Sequence, residues 1–360
     1  MGKEGLVSTV CELSDLSGIS SREGVVAEHV KSHFLSTAYR YEKDAIGNVT
    51  LFHPAYEPGA KTVLVFAHMD EIGMIVRKVE SNGFVRFERL GGVNTQILPG
   101  TRVVLLTQEG RLPGVVGVQA HHFMPVENKF SVPPIKDMYI DAFVSSAEEA
   151  GRLGIEVGTL VGLEPHCEVV RDAYVTGKSL DNRAAMAVLY GVAERLESVE
   201  LPYNLVFCFP VMEEYNIRGI MPVIHRLKPD VCIGLDVTPA CDTPDLDYNR
   251  VALGAGPAVC CMNFHGGGTL AGVLPDEGLF KGVVEAATAL GIDLQREVSP
   301  GVITENAFAL FENDGIRVLN LSIPTRYTHT DNETVAISDM EELGEVLERF
   351  LVTNVNACLA

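Results

Sequence analysis

The chain has 360 residues, of which 47% are hydrophobic and 21% are charged, and its formal net charge is -20. This length is typical of two domains, and the apolar fraction is sufficient for a buried core. Because so negative a chain repels phosphate backbones and anionic lipid, we expect neither a nucleic-acid partner nor a membrane partner.

The first residues and the cysteines indicate a cytoplasmic protein. Residues 1–7 include Lys3 and Glu4 and contain no apolar run of signal-peptide length. No stretch approaches the roughly 18 consecutive apolar residues of a membrane-spanning helix. The eight cysteines form no CxxC pair, which favours small buried core residues over disulfides or metal ligands.

The first part of the chain predicts a helix followed by a strand. Ser20 and Glu23 have the spacing of a capping box and precede a helical apolar pattern over residues 25–34. The run Thr62-Val-Leu-Val-Phe-Ala67 is short and predominantly apolar, as is typical of a buried strand in a parallel sheet.

Residues 71–166 have a different pattern. Strand-like runs at 72–76, 84–87 and 102–106 are interrupted by glycine and proline, and helical periodicity is weak except at 146–153. We therefore predict a small β-rich domain over 71–166, inserted into a main domain formed by 1–70 and 167–360.

Beyond residue 177 the chain returns to alternating helices and strands. The pattern predicts a helix over 182–196, strands over 204–211, 230–235 and 316–322, and a last helix near Ser338 with Glu341 completing a capping box. This alternation predicts an α/β domain with a mixed, largely parallel sheet flanked by helices.

Histidine and acidic side chains stand at the ends of these predicted elements: His68, Asp70, Asp181, Glu213, Glu214, Asp236 and His329. Taken singly, each has an ordinary explanation, such as a helix N-cap for Asp181. In an open α/β sheet, however, the carboxyl ends of the strands meet at one crevice. Imidazole and carboxylate groups gathered there predict a hydrolytic site for two ions of zinc, cobalt or manganese.

The order of these motifs resembles the glutamyl and tetrahedral aminopeptidases, whose bacterial members were once labelled cellulase M. The resemblance covers nearly the whole chain, including the insert, and implies a zinc-aminopeptidase-like fold. It is carried by five ordered motifs: His68-Met-Asp70, Ser179-Leu-Asp-Asn-Arg183, Glu213-Glu214, Leu235-Asp236 and Pro324-Thr-Arg-Tyr-Thr-His329.

The resemblance also implies a role for each site residue. His68 and Asp236 would bind one metal ion, Glu214 and His329 would bind the other, and Asp181 would bridge the two. The cofactors would be two divalent ions per subunit, with zinc or cobalt preferred and manganese as a third candidate.

The two remaining acids receive other roles from the resemblance. Asp70 would accept a hydrogen bond from His68 and fix its tautomer. Glu213 would be the general base that takes a proton from water during peptide hydrolysis. The substrate would be a peptide with a free N-terminus, and the insert would support dimerisation and oligomerisation into a dodecamer built from dimers.

Some features depart from the family pattern or stay open. Tyr215-Asn216 and Ile303-Thr-Glu-Asn306 differ from the family and are expected to line the substrate pocket. Arg326 contacts substrate or is a structural arginine of a turn. His122 acts at the site or a subunit contact, or is an ordinary residue of the insert. We read Gly266-Gly-Gly268 as a flexible active-site loop, because it lacks the spacing of a phosphate-binding loop.

Two other functions compete with an aminopeptidase. One is a related metal-dependent amidase or deacylase, and the other is a non-catalytic oligomeric scaffold. The presence of Glu213 argues against the scaffold. A glycosidase is disfavoured because glycosidases use two carboxylates that flank a sugar bond rather than a histidine-containing metal cluster.

Overall fold

A computed structural model describes residues 1–265 and 272–359. The glycine-rich motif at 266–268 lies outside the described residues. The described chain contains these α-helices: α1 (Lys3–Asp15), α2 (Gly24–His33), α3 (Ala147–Arg152), α4 (Leu180–Leu196), α5 (Ile220–Leu227), α6 (Glu277–Leu290), α7 (Asn306–Ala309) and α8 (Ile337–Thr353). No helix in the described ranges is long and apolar enough to cross a membrane.

The described strands form one large sheet and one closed barrel. They are β1 (Arg40–Lys43), β2 (Val49–Phe52), β3 (Thr62–Phe66), β4 (Gly73–Val79), β5 (Val85–Leu90), β6 (Arg102–Thr107), β7 (Gly110–Val116), β8 (Ile140–Asp141), β9 (Leu160–Leu163), β10 (Glu168–Val170), β11 (Tyr174–Gly177), β12 (Asn204–Phe209), β13 (Val231–Pro239), β14 (Ala258–Phe264), β15 (Gly272–Val273), β16 (Gln295–Pro300), β17 (Arg317–Arg326) and β18 (Glu333–Ala336).

The centre of the large sheet is parallel. Its strands follow the order β12-β3-β13-β17, and each adjacent pair in this series is parallel. Antiparallel strands extend the sheet on both sides. The central strands are almost entirely buried because apolar clusters cover both faces, one including α1, α4 and α8 and the other including α5 and α7. The predicted mixed α/β fold is confirmed.

The insert is a six-stranded closed barrel in the order β4-β5-β8-β7-β6-β9. Its side chains form a separate apolar core. The chain leaves the large sheet after β3 and returns to it at β10, so the barrel lies between two parts of the main domain. All six barrel strands fall inside the predicted range of 71–166.

Helix starts were predicted less well than strands. Ser146 caps α3 by accepting a hydrogen bond from the Glu149 N–H, within the predicted helical region. The capping boxes proposed at Ser20 and Ser338 are wrong. The Ser20 hydroxyl instead donates to Asp70, and α8 begins one residue before Ser338 without a side-chain cap.

Candidate active site

The sheet brings the predicted site residues to one edge. His68 and Asp70 follow β3, and Glu213 follows β12, so two neighbouring parallel strands end at the site. Asp236 lies inside β13, which continues to Pro239, rather than at the end of a strand as predicted. His329 follows β17, the next strand. These positions are adjacent because the carboxyl ends of parallel strands share an edge.

Asp181 lies between the two histidines. Its Oδ1 is 3.2 Å from His68 Nε2, and its Oδ2 is 3.4 Å from His329 Nε2. Asp181 and Asn182 have non-helical backbone angles, and no side chain caps the start of α4. The carboxylate is therefore directed between two imidazoles, which does not fit the alternative of a helix cap.

Two further acids complete a pair of potential ligand groups that share Asp181. Asp236 Oδ1 is 3.9 Å from His68 Nε2, and Glu214 Oε1 is 3.3 Å from His329 Nε2. In each group the ligand atoms lie within 4.8 Å of one another. Nitrogen and oxygen ligands in this arrangement suit zinc and similar divalent ions.

Asp70 contacts both sides of the cluster. Its Oδ1 is 3.4 Å from His68 Nδ1, and the same nitrogen is 3.2 Å from the Asp70 carbonyl oxygen. The carboxylate also accepts hydrogen bonds from Ser20 Oγ at 2.6 Å and from the backbone N–H groups of Glu213 and Glu214 at 2.8 and 3.1 Å. Asp70 thus orients the His68 imidazole and also holds against it the loop that follows β12, which carries Glu213 and Glu214.

The cluster is buried, and it places several acidic side chains close enough to repel one another. Burial raises the pKa of Glu213 well above its usual range, and burial together with Asp181 raises the pKa of Asp236 to about 8. At His329 burial lowers the pKa of the imidazole, but the neighbouring Glu214 and Asp181 carboxylates outweigh burial and raise this pKa to about 12. So many buried acids in contact require positive charge, and divalent ions bound between them would supply it.

Two residues that support the cluster were not predicted from the sequence. Glu333 is 1% exposed, and its two oxygens accept hydrogen bonds from the N–H groups of Asp181 at 2.9 Å and His329 at 2.7 Å. The Gly92 carbonyl, in the connection between barrel strands β5 and β6, is 3.1 Å from His329 Nδ1. A contact of this kind leaves Nε2 free to face a metal ion. The sequence feature that could have indicated Glu333 is an acidic residue four positions after His329, at the start of β18.

Residues 47–346 match the model of the M42 glutamyl aminopeptidase family. The chain belongs to this family. It is therefore an aminopeptidase, a hydrolase of peptide bonds, and the recognition made from the sequence motifs is confirmed.

Individual relatives agree with this assignment. The chain is 39% identical to the putative aminopeptidase SgcX of Escherichia coli, over 94% of this chain and 91% of that protein. It is 28% identical to the glutamyl aminopeptidase of Lactococcus lactis, over 98% and 97% of the two chains. The TET1 peptidase of Pyrococcus horikoshii, which can assemble into a tetrahedron or a large octahedral shell, superimposes with a TM-score of 0.85 at 27% identity and covers 97% of this chain and 99% of its own.

The residues that depart from the family motifs in this M42 peptidase fall into three groups. Asn216 and Ile303 line the cavity beside the cluster. Glu305 and Asn306 are buried at 2% and 0% exposure and are absent from the described lining, so the expectation that they line the pocket is wrong. Tyr215 is half exposed outside that lining.

The two basic residues with open roles lie away from the cavity lining. Arg326 donates two hydrogen bonds to Asp242, at 2.8 and 2.7 Å, which supports the structural alternative. His122 is exposed in a short helical turn of the barrel. A contact between His122 and another subunit remains a prediction.

Proposed function

We propose that this M42 peptidase removes N-terminal residues from peptides at a dinuclear metal site. The observation that carries the proposal is the Asp181 carboxylate, which directs one oxygen to His68 and the other to His329. A further acid lies beyond each histidine, so each ion would have its own ligands and share one bridging group.

The described residues fit two ions. His68 and Asp236 would hold one, Glu214 and His329 would hold the other, and Asp181 would bridge them. We propose zinc or cobalt as the physiological ion, with manganese as a third candidate, because nitrogen and oxygen ligands suit all three. When bound, such ions polarise the scissile carbonyl and lower the pKa of water from 15.7 to about 7.

Glu213 is proposed as the general base. Its side chain lines the cavity, and its Oε2 is 3.9 Å from His68 Nε2, next to the ligands but outside both ligand groups. Asp70 fixes the Glu213 backbone through the N–H hydrogen bond of 2.8 Å. Glu213 would take a proton from water and deliver it to the amine of the leaving peptide, a contribution of about 10²–10⁴-fold.

The cavity also supports recognition of a free amine. Every charged side chain in its described lining, apart from histidine, is a carboxylate. A substrate ammonium group can donate hydrogen bonds to these oxygens, whereas an acetylated amine has lost its charge. Loss of a charged hydrogen bond in a buried site costs roughly 1.5–3 kcal/mol. We also propose that the enzyme is cytoplasmic, which the eight free cysteines support.

Exposed apolar side chains on the barrel support self-association into a dodecamer built from dimers. Phe123, Val126 and Phe130 are 82%, 75% and 97% exposed within one connection between β7 and β8. Exposed apolar patches of this kind mark interaction surfaces. The TET1 peptidase of P. horikoshii, which is similar along its whole length, forms large shells.

The test compares matched peptides with free and N-acetylated termini. The protein is dialysed against chelator, and zinc, cobalt or manganese is returned before initial rates are measured. We expect no activity without metal and at least a hundredfold lower kcat/KM on acetylated peptides. Equal rates on both peptides would favour an amidase or deacylase. Metal-loaded protein that cuts neither peptide would favour a non-catalytic scaffold.

A further inference from the structure

A cavity of about 530 Å³ opens beside the proposed metal ligands. Its volume is within the range of small-molecule sites. The walls away from the ligand cluster include the aliphatic side chains of Ile217, Val302 and Ile303, together with the neutral polar side chains of Asn216 and Thr328. This space is where the side chain of the first substrate residue would lie if its carbonyl faced the ligand cluster.

The described lining contains no lysine or arginine. Residues 266–271, which lie outside the described ranges, read Gly-Gly-Gly-Thr-Leu-Ala and contain no charged residue. Arg326, three residues before His329, is already paired with Asp242 through two hydrogen bonds. Apart from His329, which is proposed as a metal ligand, the lining group that can carry positive charge is the imidazole of His265.

Ile217, which forms part of the aliphatic wall, is held next to the proposed base Glu213 by a left-handed backbone conformation. Ile217 has a φ of 55°, a left-handed conformation that disfavours β-branched residues. Its N–H donates a 2.8 Å hydrogen bond to the Glu213 carbonyl, and its side chain is 4% exposed. The loop thus folds back on Glu213 and presents an isoleucine to the cavity, which is the kind of constraint that accompanies functional sites.

We propose that this cavity selects a neutral, apolar first residue such as leucine or methionine, and that it discriminates against glutamate and lysine. The inference rests on the proposed function and names its substrate class. A glutamate side chain would lose water against Ile217 and Ile303 without a lysine or arginine to pair with. A lysine side chain would bring a second ammonium group to carboxylates that the metal ions, the proton transfer and the substrate's own α-ammonium group already use, so its charge would gain no further partner.

Peptides that differ only in a free first residue, Leu, Met, Glu or Lys, test the selection. With metal-loaded enzyme we expect kcat/KM on Leu or Met to exceed that on Glu by about a hundredfold and that on Lys by at least tenfold. Glutamate or lysine cleaved as fast as leucine would overturn the inference. If glutamate is preferred and His265→Gln removes the preference, the inference is wrong and His265 is the cause.

Introducing a cation into the wall tests the location of the selecting surface. Ile303→Lys, and independently Asn216→Lys at an exposed lining position, should each raise the Glu/Leu ratio of kcat/KM about tenfold or more. Val298→Lys adds the same charge at a 45% exposed site absent from the lining and should leave the ratio unchanged. Folding of each variant is checked by thermal unfolding. Unchanged ratios in both lining variants, with folding intact, would overturn the proposed wall.

Failure of the proposed function can be distinguished from failure of this inference. Metal-loaded protein that cuts no peptide of the set contradicts the aminopeptidase mechanism. Isothermal titration calorimetry with free leucine and free glutamate then decides the selection separately. Tighter binding of leucine supports a neutral apolar cavity, whereas equal or tighter binding of glutamate overturns it.

Discussion

At the scale of single residues, the position of Asp181 would allow one carboxylate to bridge the two proposed ions. Its oxygens face different histidines, so each oxygen is available to a different ligand group. An asparagine has nearly the same shape, but it carries no negative charge and replaces one of these oxygens with an NH₂ group, which cannot bind a cation.

We therefore expect Asp181→Asn to lose metal from both sites together. The measurement is metal content per subunit by mass spectrometry after gel filtration, with calorimetric titration of the metal-free protein. Asp245→Asn, at an exposed position, is the matched control and should keep the wild-type metal content. Loss from one site while the other stays filled would contradict the bridging role.

Glu213 and Glu214 are adjacent in the chain but are proposed for different tasks. Glu213 lies outside both ligand groups, whereas Glu214 is 3.3 Å from His329. We expect Glu213→Gln to lower kcat by about 10²–10⁴-fold with both ions retained. Glu214→Gln should lower metal content instead. A Glu213→Gln protein with two ions and wild-type turnover would remove Glu213 from the mechanism.

Glu333 provides a third residue-scale prediction. In Glu333→Gln, an NH₂ group replaces one oxygen and faces the N–H of Asp181 or His329, so one of the two hydrogen bonds is lost. We expect metal affinity to fall by about 10–100-fold, as for other residues that orient ligands. Glu345→Gln, on the exposed face of α8, is the control. Unchanged affinity in the titration would leave Glu333 as a purely structural residue.

These residues also show how far the sequence could identify the site. The structure brings all seven predicted residues together because five of them follow neighbouring strands of one sheet, while Asp236 lies within β13 and Asp181 lies at the start of α4. Glu333 was not predicted because it acts on backbone N–H groups, which any residue can supply. The burial of Glu305 likewise depends on how α7 packs, and a short motif does not record that packing.

At the scale of elements, a buried ion pair joins the segment just before β4, where the chain enters the barrel, to the segment just before α4. Lys178 Nζ is 2.5 Å from Glu71 Oε2, and both residues are almost completely buried. Glu71 also accepts a hydrogen bond from the Gly18 N–H at 2.7 Å, and Lys178 donates to the Leu16 carbonyl. The pair therefore ties the end of α1 to the elements that carry His68 and Asp181.

We expect Lys178→Met to lower the free energy of unfolding by about 3–5 kcal/mol, because Glu71 would keep a buried charge without its partner. Lys61→Met is the control, since Lys61 pairs with Asp230 at an exposed site. Its loss should cost about 0–1 kcal/mol. Chemical denaturation measures both, and equal losses would contradict the importance of burial.

Element boundaries show why the sequence predicted strands better than caps. The buried central strands are continuous apolar runs, and their types were predicted correctly because both faces are covered. The box at Ser20 was wrong because a capping motif competes with tertiary hydrogen bonds, and the Ser20 hydroxyl bonds to Asp70. The sequence pattern ended the β13 strand at residue 235. Pairing with β17 continues this strand past Asp236 to Pro239, and the apolar pattern does not record that pairing.

At the scale of the whole molecule, the two folded units meet at the site. The barrel supplies Gly92, whose carbonyl contacts His329, and a Cβ at this glycine would lie 2.5 Å from His329 Nδ1. The sequence predicted an inserted unit but could not predict this contact, because it depends on how two independently patterned regions dock. The barrel therefore takes part in shaping the ligand cluster as well as presenting its exposed apolar connection.

That apolar connection carries the last prediction, which concerns assembly. We expect light scattering at micromolar concentration to give a mass well above that of a dimer, and Phe123→Asp combined with Phe130→Asp to reduce it, because burying unpaired charges in an interface is costly. Phe311→Asp is the control, since Phe311 is also exposed, at 63%, but lies outside the barrel. A wild-type mass of 39.0 kDa would contradict self-association. If the double variant of Phe123 and Phe130 keeps the wild-type mass, a different surface holds the subunits together.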